Sequence, residues 1–199
     1  MFLREVTPVP DGALPLAELK QHLRLGTGFS DDDLQDAVVL GALRSAIASI
    51  EARTGKALYQ RDFVWVIETW RHSDVQALPI APVLNVSSVE IKDLDGLLLT
   101  DAIEKVRLVQ DDHRPRLMAV GICLPEVPEL GSSEVAMTAG YSVDWAGLRP
   151  DLKQAVLALA AFNYEHRLAE NCGTSAWPAM VAALVSPYLT VRLFDGAPK

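Results

Sequence analysis

The 199 residues suffice for one medium domain, or for a compact core carrying one inserted subdomain. Half of them are hydrophobic and 22% are charged, a balance that excludes an intrinsically disordered chain. The 18 Lys+Arg set against 26 Asp+Glu give a net charge of −8, the wrong sign for electrostatic binding to duplex DNA or an anionic membrane.

In chain order, the first elements are helical. Pro15 suits a first helical turn, and Leu16, Leu19 and Leu23 recur on one face of a short helix. Gly26, Thr27 and Gly28 interrupt it. Ser30 then reads as an N-cap, with Asp31, Asp32 and Asp33 in the first turn, where acidic groups meet the positive helix end. A long helix is expected up to Thr54, with Gly55 as its stop. Its apolar stripe takes in Leu34, Val38, Ala42, Ala46 and Ile50, with Val39, Leu43 and Ile47 alongside. So wide a stripe predicts cover on two sides.

From about residue 57 to 146 the period becomes that of strands. Phe63, Trp65 and Ile67 alternate along the first, and Val86 to Lys92 forms another. Asp95-Gly96 is a turn signal leading into Leu97–Leu99. Further strands are expected at Val106–Val109, Arg116–Val120 and Val135–Ala139, the last closing on Gly140-Tyr141. Six short strands predict a small antiparallel sheet, curled or doubled.

The last part returns to helix. Pro150 opens a helix in which Leu152, Val156, Leu159, Phe162 and His166 repeat at helical spacing, up to about Leu168. Asn171, Cys172 and Gly173 break it, and a shorter helix from Pro178 to Val185 presents Met180, Val181 and Leu184. Ser186-Pro187 ends that helix, leaving Tyr188 to Phe194 as an extended apolar stretch. This stretch either tucks into the protein's own helical part or straps onto a neighbour's sheet or groove. The fold class expected is α+β: a helical domain built from residues 1–56 and 147–199, with a small antiparallel β domain, 57–146, inserted between them.

Chemistry-bearing motifs are sparse. His22, His72, His113 and His166 form no HExxH or HxH arrangement, and two separated cysteines, Cys123 and Cys172, make neither a zinc site nor a disulfide framework. They read as reduced, half-buried thiols. Asp111-Asp112-His113 could form a metal corner but fits a solvated turn better. Asp31, Asp32 and Asp33 point about 100° apart and cannot converge on a cation. Gly26-Thr27-Gly28 lacks the lysine of a phosphate loop, and no GxSxG is present. No metal or other cofactor is expected. Trp145 and Trp177 fall in loops flanking the last helices, as core plugs or as interface anchors. With no apolar leader at the amino terminus and no apolar run long enough to span a bilayer, the chain reads as a soluble protein folded in the cytoplasm.

Three ordered stretches resemble the head–tail connector, or adaptor, proteins of tailed phages and gene transfer agents. The first runs from Leu14 to Leu25 and continues in a long helix ending Ile50-Glu-Ala-Arg-Thr-Gly-Lys-Ala-Leu58. The second is Val135-Ala-Met-Thr-Ala-Gly-Tyr141, leading through Pro150 into Leu152-Lys-Gln-Ala-Val-Leu-Ala-Leu159 and Asn163-Tyr-Glu-His-Arg167. The third is Val181-Ala-Ala-Leu-Val-Ser-Pro-Tyr188, with Arg192 beyond. The order holds across nearly the whole chain and is weakest between about residues 70 and 130, where the family version with an inserted β part varies.

The resemblance implies a non-enzymatic structural subunit of a virion or phage-like particle. It would form a homo-oligomeric ring, usually of twelve copies, beneath the portal protein. That ring would extend the DNA channel, pass DNA without binding it specifically, and carry stopper or tail-terminator proteins. A carboxy-terminal segment, here Tyr188, Leu189, Val191, Arg192, Leu193 and Phe194, would engage the portal. Asp31, Asp32 and Asp33 are candidates for acidic groups facing the channel, because basic patches would grip passing phosphates. A different class also fits the composition: a small enzyme or ligand-binding protein with a site between the helical and β parts, using Asp111, His113 and His166. A transcriptional regulator is disfavoured by the missing basic recognition helix.

Overall fold

The computed structural model of the chain describes residues 1–25, 32–167 and 177–189. Four α-helices are present among them: α1 (Leu16–His22), α2 (Asp32–Thr54), α3 (Pro150–Glu165) and α4 (Ala179–Val185). There are eight strands: β1 (Phe2–Glu5), β2 (Arg61–Ile67), β3 (Val75–Ala77), β4 (Val83–Lys92), β5 (Leu98–Asp101), β6 (Val106–Val109), β7 (Arg116–Ala119) and β8 (Ser132–Ala139). The chain is therefore mixed α+β, as expected.

The helices bury one continuous core. Along α2, Val39, Leu43, Ala46, Ile47 and Ile50 fall three or four residues apart and are all buried, since that spacing puts them on one face. They pack against α3, whose Leu152, Ala155, Val156, Leu159 and Ala160 are inaccessible to solvent or nearly so. Each buried Leu, Val or Ile there contributes about 1.5–3 kcal/mol of transfer free energy. Leu19 of α1, Val181 and Val185 of α4, and Trp145 and Leu148 ahead of α3 complete the cluster. Gly55, with φ of 68°, stops α2 as its composition predicts. The expected two-sided cover of α2 is corrected: Val38 is 45% exposed and Ala42 only half-buried, so the described residues cover a single side.

Two sheets share a second core. The larger has the order β1-β2-β8-β4-β5 and the smaller β3-β7-β6, with every pairing antiparallel. Phe63, Trp65 and Ile67 of β2 point inward beside Val135 and Met137 of β8, in a register that sets Trp65 opposite Val135. Val106 of β6 and Leu117 of β7 close the core from the smaller sheet. The doubled sheet matches the sequence reading, but two of its strands do not. β3 is three residues long, and β1 lies in the stretch read as wholly helical, where it forms one edge of the larger sheet. β5 forms the other edge, and all four of its residues are exposed.

The two cores meet at a tight crossing. Tyr141 N–H donates to Ala57 O, Ser142 N–H to Leu58 O, and Gln60 N–H to Ser142 O, so the segments entering and leaving the β part run side by side. Lys56, 1% exposed, donates from Nζ to Asp112 O at 2.7 Å and His113 O at 3.3 Å. Burial holds its pKa below the ordinary lysine value, against the pull of Asp111 and Asp112.

Two buried phenols tie loops to the helical core. Tyr59 donates to Ala13 O at 3.2 Å and Tyr188 to Asp151 Oδ2 at 2.6 Å. Burial raises the pKa of both, with added repulsion from Glu18 and Glu51 on Tyr59 and from Asp151 on Tyr188. Burial and Asp112 push Tyr141 up to about 12. An unfolded tyrosine ionises near pH 10, so above that pH the folded chain holds protons that the unfolded chain has released. Stability must then fall as pH rises. Melting temperatures measured between about pH 9 and pH 11.5 are expected to decline steadily, and more gently in Tyr188→Phe. A flat profile would contradict the buried phenols.

Candidate assembly interface

The polar residues singled out by sequence do not converge. Asp111 Oδ1 accepts the backbone N–H of His113 at 2.7 Å and of Arg114 at 2.8 Å, so the carboxylate closes its own turn. Those two amides hold its pKa below the usual carboxylate range. His166 ends α3, exposed, with its ring stacked on Phe162 at 4.2 Å and Nδ1 2.9 Å from Phe162 O. It caps a helix end rather than facing Asp111 or His113. Among the described residues no three His, Cys, Asp or Glu side chains are placed to hold a metal ion, and no helix is long and apolar enough to cross a membrane.

Other sequence expectations divide. Trp145 is a core plug, its indole N–H donating to Glu18 Oε2 at 2.7 Å, whereas Trp177 is half-buried under the Arg53 guanidinium at 4.6 Å. Cys123 is exposed rather than half-buried, because it sits in the Gly121–Cys123 turn after β7; Cys172 lies outside the described residues. Asp31, Gly26 to Gly28 and Ser30 also lie outside them, and for Asp32 and Asp33 only the helical backbone at the start of α2 is described.

Of the proposed tail residues, Val191, Arg192, Leu193 and Phe194 fall outside the described residues and Leu189 is half-buried. Tyr188 is 4% exposed and belongs to a 3-10 turn, Ser186–Tyr188, not to an extended stretch. Pro187 explains the difference: its fixed φ stops α4 but suits the first positions of a tighter helix. Tyr188 thus anchors whatever follows it.

Sequence reasoning missed a charged cluster near the crossing. Arg61, the first residue of β2, grips Glu51 of α2 bidentately, with Nη2 to Oε2 at 2.7 Å and Nη1 to Oε1 at 2.9 Å, while Nε meets Glu5 of β1 at 2.9 Å. Glu51 Oε1 also accepts Leu58 N–H at 2.7 Å. Burial opposes the guanidinium charge, but the two carboxylates outweigh it and hold the pKa above its ordinary value. Three distant segments supply these groups, so no local spacing betrays them. The cluster forms one wall of an open groove of about 520 Å³. Pro8, Val9 and Leu14 from the amino-terminal segment, with Ile47 and Ala48 of α2, make the apolar walls. Arg44 stands there too, paired with exposed Asp11 at 2.5 Å.

At the far edge of the same sheet, a hairpin carries apolar side chains into solvent. Leu94, Leu97, Leu98 and Leu99 are each exposed by half or more, and Leu130 in the neighbouring turn by 75%. Such clustering marks a contact surface.

No protein-family model and no curated protein matches this chain. Solved structures do match. A chain from the neck of an empty gene transfer agent particle, computed with C6 symmetry, is 46% identical with a TM-score of 0.89. One from the virion of a native gene transfer agent particle is 46% identical with a TM-score of 0.85. One from the neck of a native particle, computed with C12 symmetry, is 43% identical with a TM-score of 0.84. Each likeness covers 100% of both chains.

Proposed function

Because this chain belongs to the family of gene transfer agent neck proteins, we propose that twelve copies of it form a ring beneath the portal protein. Its role in the particle is structural, that of a head–tail connector. The observation that carries this is the 46% identity, over the full length of both chains, to a particle neck. A ring of twelve satisfies both symmetries of the related necks, since six-fold symmetry is contained in twelve-fold. In this reading the ring extends the DNA channel and offers its far face to stopper or tail-terminator proteins. A subunit of charge −8 suits that channel, because it encloses a polyanion without pairing to its phosphates. The role requires contact and no turnover, so we read the chain as non-enzymatic, with no cofactor.

Residues 1–56 and 147–199 are read as one helical unit and 57–146 as an inserted β unit. The two separate cores support this, with β1 and with Leu58, Tyr59, Tyr141 and Trp145, which join the helical core from the ends of the β unit, as exceptions that cross between them. Asp31, Asp32 and Asp33 remain the proposed channel-facing acids. Leu189, Val191, Arg192, Leu193 and Phe194 are proposed to engage the portal, with Tyr188 fixing the start of that segment through Asp151.

A reconstruction of whole particles is expected to place the chain as a symmetric ring between portal and tail; its absence from purified particles would overturn the reading. A chain cut after Leu189 keeps the Tyr188 anchor. It is expected to melt within a few degrees of the full chain, yet to leave heads without tails in a complementation assay. Normal tailed particles from that variant would remove the segment from the portal contact.

A further inference from the structure

We propose that the leucine hairpin docks onto a particle protein other than this chain, one presenting an apolar groove rimmed by lysine or arginine; this rests on the neck reading above. Leu94, Leu97, Leu98 and Leu99 stand between 50% and 69% exposed. Leu130 joins them from the turn before β8, because Ser132 pairs with Lys92 at the hairpin base. The approach there is close: a Cβ on Gly131 would lie 2.4 Å from Lys92 O. Leu130 is 75% exposed and takes φ of 64°, a left-handed conformation uncommon for any side chain and least suited to a bulky one. A large apolar residue is thus kept where both solvent and backbone disfavour it. Neither cost benefits the isolated fold, and residues held at such a cost cluster at contacts.

The hairpin holds one shape before any partner arrives. Gly96 N–H donates to Asp93 O and Asp93 N–H to Leu97 O, each at 3.1 Å, while Leu97 N–H donates to Asp93 Oδ1 at 2.8 Å. A turn closed in this way lowers the entropy cost of docking. The contact runs through side chains and not through the free sheet edge. Leu98 lies opposite Lys92 and Thr100 opposite Ile91, so Leu99 between them has no partner residue on β4. Such a bulge breaks the regular ladder that an added strand would extend. A groove, rather than another strand, is therefore the matching shape.

Charge decides the occupant. Asp95, Asp101 and Glu129, all exposed, and half-buried Asp93 border the leucines. Asp93 and Asp101 accept backbone amides, which leaves their charge in place. The cation at the hairpin base, Lys92, is already shared by Glu134 at 2.7 Å and Glu90 at 3.3 Å. So acidic a rim repels phosphate, which removes nucleic acid and anionic lipid, and it calls for lysine or arginine on the partner. The Arg61 groove of a second copy does not bring them, because Arg61 is held by Glu5 and Glu51 and Arg44 by Asp11. Two copies, each of charge −8, also repel one another. The groove that fits belongs to a different protein.

The test is photo-cross-linking in assembled particles. Leu94, Leu97 or Leu130 is replaced by p-benzoylphenylalanine in a chain supplied as the sole copy to particle-producing cells, and purified particles are irradiated. A light-dependent product joining this chain to one other particle protein is expected, with mass spectrometry placing the joined residues beside lysine or arginine. Particles that contain the chain yet give no product from any position would overturn the proposal. So would a product with a second copy, with residues 190–199 of this chain, or at a site without basic neighbours. Independently, Asp95→Lys with Glu129→Lys alters two exposed side chains that take no part in the hairpin's hydrogen bonds. Circular dichroism and melting are expected to stay unchanged, while the yield of tailed particles falls at least about tenfold, because like charges then face each other across the contact. Asp95→Asn with Glu129→Gln is expected to fall in between. Tailed particles at the unsubstituted level from the lysine pair would also overturn the proposal, whereas an unsubstituted chain missing from particles would defeat the neck reading itself.

Discussion

Gly140→Ala is expected to lower the unfolding free energy by about 2–6 kcal/mol, a large share of a typical domain's ~5–15 kcal/mol. Gly140 ends β8 with φ of 138°, and its N–H donates to Pro82 O at 3.0 Å. A Cβ there would lie 2.3 Å from Tyr59 O, 2.4 Å from Tyr59 C and 2.5 Å from Gln60 N. All three are backbone atoms of the segment entering the β part, and backbone cannot swing aside as a side chain can. Steric overlap (about 1–3 kcal/mol) and positive-φ strain (about 1–3 kcal/mol) therefore add at one atom. Urea titration of the purified variant measures the loss, and a shift below about 1 kcal/mol would show that the crossing has room for a methyl group.

Arg61→Met is the second large effect, at about 3–5 kcal/mol. The Arg61 side chain is 9% exposed and that of Glu51 14%, so removing the cation strands a carboxylate in a site with little water. Glu5, exposed to 38%, is then left facing Glu51 with no charge between them. Breaking a buried pair from one side costs more than the pair itself contributes, because the surviving charge has lost both solvent and partner. Adding Glu51→Gln to Arg61→Met is expected to recover part of the loss, and a double variant no more stable than Arg61→Met would refute this account.

The strands most legible in the sequence were those with two neighbours and one buried face. Phe63, Trp65 and Ile67 alternate because β2 lies between β1 and β8 with one side on the core. β1 has a single neighbour, and of Phe2, Leu3, Arg4 and Glu5 only Leu3 packs against the core, so no alternation announces it. The α2 stripe was read too widely, since apolar residue type cannot separate Val39, fully buried, from Val38, nearly half exposed; the position of α3 decides that. Tyr188 reads as the start of an extended stretch, either tucked into the helical part or strapped onto a neighbour, because Pro187 reads as a terminator and its acceptor Asp151 is 37 residues away. The leucines around the Asp95-Gly96 turn were identified as a strand following a turn. That they stand in solvent depends on nothing packing over the hairpin, whose β5 residues are all exposed, and residue type alone does not show that.

The polypeptide passes between the two cores three times, after β1, before β2 and after β8. A single tether would permit swivelling, but here any swivel has to unzip β1 from β2 and shear the Tyr59–Ser142 bridge at the same moment. A subunit stitched in this way resists bending and twisting as one block. In the neck of a particle, such a subunit would pass force on undeformed.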